Sequence, residues 1–136
     1  MENFYHGILL DLQFGEDSFI EKNFKIFAKR KSSSNPWILY GIEIGDKNLD
    51  DGIAKIQTAM KSDAPYYAHL YNDNEVIVIF KSKVFYVKPH ISTWNEIVRY
   101  GASLDIPSEQ LDFWPNRFQD EIHYFKKEHY IQRTQI

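Results

Sequence analysis

The sequence predicts one α+β domain: a mostly antiparallel sheet of about five strands packed by helices, in the order β-α-β-α-β-β-β-α-α, with a C-terminal helical segment. Three observations carry this. The chain has 136 residues, 43% hydrophobic and 16% aromatic, which suits one domain that buries a core without metals or cross-links. Its apolar spacing switches between the strand period and the helix period. From residue 66 onward, three strand-like runs follow one another through short polar turns, with no helix between them to carry a parallel crossover.

Residues 5–14 (YHGILLDLQF) read as the first strand. In EDSFIEKNFKIFAKRK the period changes. Ile20, Phe24 and Phe27 fall at i, i+4 and i+7, Asp17 or Ser18 can cap the start, and Lys29, Arg30 and Lys31 suit the negative end of a helix dipole. After the polar loop Ser32-Ser33-Ser34-Asn35-Pro36, WILYGIEI (37–44) is a second strand. A second helix covers 50–62, with Ile53, Ile56 and Met60 on one face. YYAHLY (66–71), EVIVIF (75–80) and VFYV (84–87) then form strands, separated by Asn72-Asp73-Asn74 and Lys81-Ser82-Lys83 as hairpin turns. EVIVIF is apolar on both faces, which places it centrally in the sheet with helices on at least one side. TWNE (93–96) has the capping-box pattern, Thr93 bonding toward Glu96. That helix carries Trp94, Ile97 and Val98 and stops before Pro107. SEQLDF adds a short helical turn, and Phe118, Ile122 and Phe125 mark a last helix after Pro115.

Several classes of chemistry are disfavoured. The chain has no cysteine, which removes disulfides, thiolate metal sites and cysteine nucleophiles, and fits a reducing compartment. The first apolar run, Ile8-Leu9-Leu10, is interrupted by Asp11 and lacks a basic region before it, so no secretory signal is read. No run approaches the roughly 20 apolar residues that span a bilayer. The expected location is cytoplasmic, with no membrane association. With 16 basic and 19 acidic side chains the net charge is −3, a poor basis for phosphate-driven nucleic-acid affinity.

One stretch looks like a named site. In GDKNLDDG (45–52), Asp46, Asn48 and Asp50 alternate as in a calcium loop. Position six of that loop is Asp51 where glycine belongs, and position twelve is Gln57 where a bidentate Glu belongs. Asp50 or Asp51 capping the following helix is the better reading. The five histidines, His6, His69, His90, His123 and His129, show no i, i+4 spacing, and no metal or other cofactor is expected. There is no G-x-S-x-G elbow, Walker loop or G-x-G-x-x-G. The carboxylate pairs Glu16-Asp17, Asp50-Asp51 and Asp120-Glu121 read as helix starts or solvated faces.

Two stretches carry functional expectations. FKSKVFYVK (80–88) interleaves aromatics with Lys81, Lys83 and Lys88, a weak version of a single-stranded nucleic-acid surface. LDFWPNRFQDEIHYF (111–125) crowds aromatics among acids between and beyond Pro107 and Pro115. Exposed rings rimmed by carboxylates describe a protein-binding hot spot. The expectation is a non-enzymatic binding protein, of the inhibitor or immunity type, that meets a basic protein partner through Phe113, Trp114, Asp112 and Glu109. The alternative is a small sheet protein with a ligand pocket at His69, Tyr67 and Tyr71 and a hydrolytic or isomerase-like activity. A weak single-stranded nucleic-acid binder is the second alternative.

Overall fold

A computed structural model describes residues 3–33 and 36–131. The chain is an α+β domain around a six-stranded antiparallel sheet of order β2-β3-β1-β4-β5-β6. The strands are β1 (Phe4–Leu10), β2 (Lys25–Lys31), β3 (Ile38–Gly45), β4 (Tyr67–Tyr71), β5 (Val76–Phe80) and β6 (Val84–Val87). The α-helices are α1 (Phe19–Asn23), α2 (Leu49–Ala59) and α3 (Asn95–Ser103). The fold class is the one the sequence predicts, with one strand more.

The sheet is covered on both sides. Helices α1 and α2 close one face over Leu9, Ile42, Ile44, Leu70, Ile77 and Ile79. Helix α3 and an irregular strap, residues 104–131, close the other over Ile8, Val76, Val78, Phe80 and Phe85. Strand β5 shows why its sequence is apolar throughout. Val76, Val78 and Phe80 face the strap, Ile77 and Ile79 face α2, and all five are buried. It lies between β4 and β6, so it is an interior strand as expected.

The extra strand is a correction. Only Phe19–Asn23 is helical in the segment read as one long helix, and Lys25–Lys31 runs extended beside β3. A register shift between Ile26 and Ala28 is the reason the pattern misleads. Phe24 and Ile26 pack on the helix-covered face, whereas Phe27 and Ala28 both pack on the strap-covered face. One inserted residue breaks the alternation and leaves an apparent i, i+4, i+7 spacing. Lys25, Lys29 and Lys31 remain exposed along this outer strand, as suits an edge.

The C-terminal segment is the second correction. Phe118–His123 and Lys127–His129 are 3₁₀ turns, not an α-helix. Ile122 is 73% exposed, so it shares no buried stripe with Phe118 and Phe125. The strap crosses the sheet, and its rings seat separately: Phe113 against Trp94 and Tyr67, Phe118 against His6, Phe125 against Phe27.

The capping expectations also change. Thr93 does not cap α3; its hydroxyl turns back to the His90 carbonyl at 2.7 Å, and Trp94 holds the cap position. Asp50 and Asp51 lie in the first turn of α2 without a side-chain cap bond, where they favour the dipole only. The first hairpin turn is as expected. Asn72 Oδ1 accepts from the amides of Asn74 (2.9 Å) and Glu75 (2.8 Å), and β4 and β5 pair antiparallel across it.

Close packing makes one glycine obligatory. Gly7 sits opposite Ile42 and Leu70 on the neighbouring strands. A Cβ there would stand 2.3 Å from Leu70 Cδ2 and 3.0 Å from the His69 carbonyl oxygen. Leu70 is fully buried and cannot swing away cheaply. Gly7→Ala is therefore expected to destabilise the fold by about 2 kcal/mol through overpacking. A urea midpoint equal to the parent's would show that this strand contact is looser than described.

Candidate functional site

Sheet register builds a polar row across an otherwise apolar face. His6 on β1 lies directly opposite Glu43 on β3 and Tyr71 on β4, and Glu43 lies opposite Lys25 on β2. Directly opposed residues of antiparallel strands project to the same side, so Lys25, Glu43, His6 and Tyr71 form a continuous line. The strap then lowers Glu121 onto it.

The distances join these groups into one chain. Tyr71 donates its hydroxyl to Glu121 Oε2 at 2.5 Å. The same oxygen stands 2.5 Å from His6 Nδ1. On the other side of the ring, His6 Nε2 stands 2.9 Å from Glu43 Oε2, and Lys25 Nζ donates to Glu43 Oε1 at 3.0 Å. The imidazole stacks on Phe27, with centroids 4.2 Å apart, and meets the edge of Phe118 at 4.9 Å.

This arrangement sets protonation. A carboxylate on each ring nitrogen favours the imidazolium form of His6, in which both nitrogens donate. Burial pulls the His6 pKa down. The hydrogen bonds and charges of Glu121 and then Glu43 outweigh it, and the pKa lies above its ordinary 6.5. Burial pushes Glu43 up, but the bonds from His6 and Lys25 prevail and hold its carboxyl below the ordinary value. Burial, with Glu121 beside it, drives the Tyr71 hydroxyl far above its usual range, so it remains a donor. Glu43 and Glu121 sit on opposite sides of the ring, so the three groups face one another and share no common centre for a metal ion.

Beside this row lies a groove of about 490 Å³, lined by His6, Glu43, Phe4, Phe118, Asn3 and the turn Asn72–Asn74. Asp73 Oδ1 accepts from the Phe118 amide at 3.0 Å, which pins the strap to the β4–β5 turn.

The residues singled out from sequence are distributed differently. Tyr67, His69 and Tyr71 share one face of β4, but each directs its polar atom at the strap, not at a common pocket. Tyr67 bonds the Gln110 carbonyl, His69 Nε2 bonds the Pro115 carbonyl at 2.7 Å, and Tyr71 bonds Glu121. Burial depresses His69 to a pKa of about 4, against smaller opposing effects of the Pro115 carbonyl and Asp112, so the ring is neutral and donates from Nε2. Tyr71 alone of the three belongs to the His6 chain.

Along residues 111–115 burial alternates. Leu111, Phe113 and Pro115 are buried, while Asp112 and Trp114 are exposed. Phe113 is thus a core residue at 1% exposure and not a surface contact, whereas Trp114 is 40% exposed; Glu109 is exposed as expected. Two lysines of the aromatic-basic stretch are engaged: Lys81 Nζ donates to the carbonyls of Gln57 and Met60, and Lys83 lies over Phe85 at 5.1 Å, while Lys88 is exposed. The calcium-like segment is a 3₁₀ turn, Asp46–Asn48, leading into α2. Among the described residues no helix is long and apolar enough to cross a membrane.

The sequence reading missed His6, Glu43 and Glu121. His6 and Glu43 interrupt two apolar strands, a usable signal, since a charged residue inside such a strand needs a partner. Glu121 had none: Asp120-Glu121 looks like a solvated pair, yet both are buried. Comparison with protein-family models, with curated proteins and with solved structures finds no match for this chain.

Proposed function

We propose that this protein is a non-enzymatic binding module, of the inhibitor or immunity type, which takes a basic protein partner on the outer face of its strap. The observation that supports the reading is the alternation over residues 111–115. Three buried anchors hold the backbone there, so Asp112 and Trp114 are offered outward from a fixed base. A large ring presented this way costs little ordering entropy on binding. Glu109 and Asp112 supply an acidic rim, and the net charge of −3 favours a basic partner.

The test is a pair of variants measured for both stability and partner binding. Trp114→Ala is expected to keep the parent's unfolding midpoint within about 1 kcal/mol and to lose about 2 kcal/mol or more of affinity, chiefly through faster dissociation. Asp112→Asn is expected to slow association, more at low salt than at high salt. The reading fails if Trp114→Ala unfolds several kcal/mol sooner, which makes the ring structural. It also fails if a purified partner binds the variant as tightly as the parent.

A further inference from the structure

The groove beside His6 has features that the Trp114 surface does not explain. Its walls come from separate parts of the chain: Glu43 from β3, His6 and Phe4 from β1, Asp73 from the β4–β5 turn, and Phe118 from the strap. Both carboxylates are held in place, Glu43 through both of its oxygens, with Lys25 on Oε1, and Asp73 through one. Glu43 Oε2 is fixed by His6, and Asp73 Oδ1 by the Phe118 amide. Among the described residues Asp73 has no ion pair, and its second oxygen has no partner. Phe4 is 45% exposed at the same groove. Among the described residues no Lys or Arg lies over Phe4 or Phe118, although other rings carry one, as with Arg30 over Tyr124 and Lys29 over Tyr40; Phe118 meets the edge of His6 and Phe4 is the open ring. The imidazolium of His6 and the ammonium of Lys25 leave one negative charge uncompensated among Glu43, Glu121 and Asp73.

We propose that this groove, between Asp73, Glu43, Phe4 and Phe118, receives the guanidinium group of an arginine on the partner protein. The ligand chemistry follows from the lining. A planar cation can lay its face on a phenyl ring while its N–H edge points at a carboxylate. An ammonium fits less well, because it is more strongly hydrated and makes no planar stack. Asp73 offers its second oxygen to one N–H, and Asn3 and Asn74, which line the same groove, have amide oxygens able to accept from the remainder. Phe118 is four residues from Trp114, at most about 14 Å along an extended chain. One partner can therefore cover both, and this inference rests on the reading that the partner is basic.

The probe is a short blocked peptide with one arginine, titrated into the whole protein and followed by amide chemical shifts. Saturable shifts are expected at Asp73, Asn74 and Phe118, with a dissociation constant of about 1 mM, the scale of a single side-chain contact. The same peptide carrying citrulline, which keeps the shape and loses the charge, is expected to bind at least about tenfold more weakly, and the lysine peptide to fall between. Asp73→Asn retains the Oδ1 acceptor for the Phe118 amide and removes the charge, so it is expected to fold normally and weaken arginine binding by about fivefold or more. Absence of shifts at the groove at saturating arginine peptide overturns the proposal. So does citrulline binding as well as arginine, which would mark a neutral hydrogen-bonding site, and so does a folded Asp73→Asn that binds unchanged. These outcomes are separable from the Trp114 test. Loss of partner affinity in Trp114→Ala with no arginine site at the groove leaves the binding surface standing and removes only its arginine pocket.

Discussion

Replacing Ile77 with Asp is expected to cost the protein on the order of 4–5 kcal/mol, the largest single effect foreseen here. Ile77 is fully buried in β5, between Leu70 on β4 and Tyr86 on β6, in the cluster beneath α2. The substitution removes a branched side chain from packed apolar neighbours and puts a carboxylate in its place. Most of the surrounding cluster cannot pair with it: Leu9, Ile42, Ile53, Ile56, Leu70 and Ile79 are all apolar. The acid escapes the full cost of a buried charge by taking a proton, yet the protonated form still lacks hydrogen-bond partners. A domain of this size has about 5–15 kcal/mol of stability in total, so the variant stands close to unfolding at room temperature. Urea titration followed by far-ultraviolet circular dichroism measures this directly. A midpoint within error of the parent's would remove Ile77 from the core and with it the assignment of β5 as an interior strand.

Glu121→Gln carries the second large effect. The parent carboxylate takes one bond from Tyr71 and faces His6 Nδ1 through the same oxygen. The amide keeps the volume but loses the charge that stabilises the imidazolium. Hydrogen bonds to charged groups are worth about 1.5–3 kcal/mol, and removal of one partner of a buried ion pair costs about 3–5. The His6 and Glu121 side chains retain 16% and 10% of their exposure, which favours the lower figures, so the expected loss is about 2–3 kcal/mol. The pH dependence gives a sharper readout. The His6 pKa is raised by folding, so its contribution is complete below pH 6.5 and fades as pH climbs through the higher folded value. The Glu43 pKa is lowered, so its contribution is complete above the ordinary carboxyl value and fades as pH falls through the depressed one. The parent should therefore lose stability as pH rises from 6.5 through the folded His6 pKa, and Glu121→Gln should lose less of it over the same range. Amide hydrogen exchange localises the effect: residues 118–124 should open more readily in the variant, with β5 unchanged at equal stability. Identical slopes above pH 6.5 for parent and variant would mean that Glu121 does not hold the proton on His6.

The elements with clear local chemistry were legible in the sequence. The fully apolar Val76–Phe80, the Asn-Asp-Asn turn and the Ile53, Ile56 face of α2 each follow from a rule that needs no distant partner, whereas Met60, expected on that face, lies past the helix end in extended backbone. Strand β2 was not legible, because the shift at Ile26–Ala28 borrows a helical spacing and only pairing with β3 reveals the extended backbone. The C-terminal strap was misread for a related reason. Its rings at 113, 118 and 125 seat in three different places on the sheet, and no single period describes a segment whose anchors are set by another surface.

The site divides in the same way. Trp114 stood out from composition alone, and its neighbour Phe113 could be assigned to the core only once the alternation of residues 111–115 against the sheet was known. The chain from Tyr71 through Glu121 and His6 to Glu43 spans residues 6 to 121, and no local pattern announces it. By itself the sequence determined the fold class, the interior strand, the first hairpin turn and the net charge of −3, because those properties depend on composition and on neighbours a few residues apart. Only the tertiary structure decided which acids are buried and which ring nitrogens they face. Those depend on strand register and on where an irregular strap crosses the sheet, and both are set by packing between residues far apart in the chain.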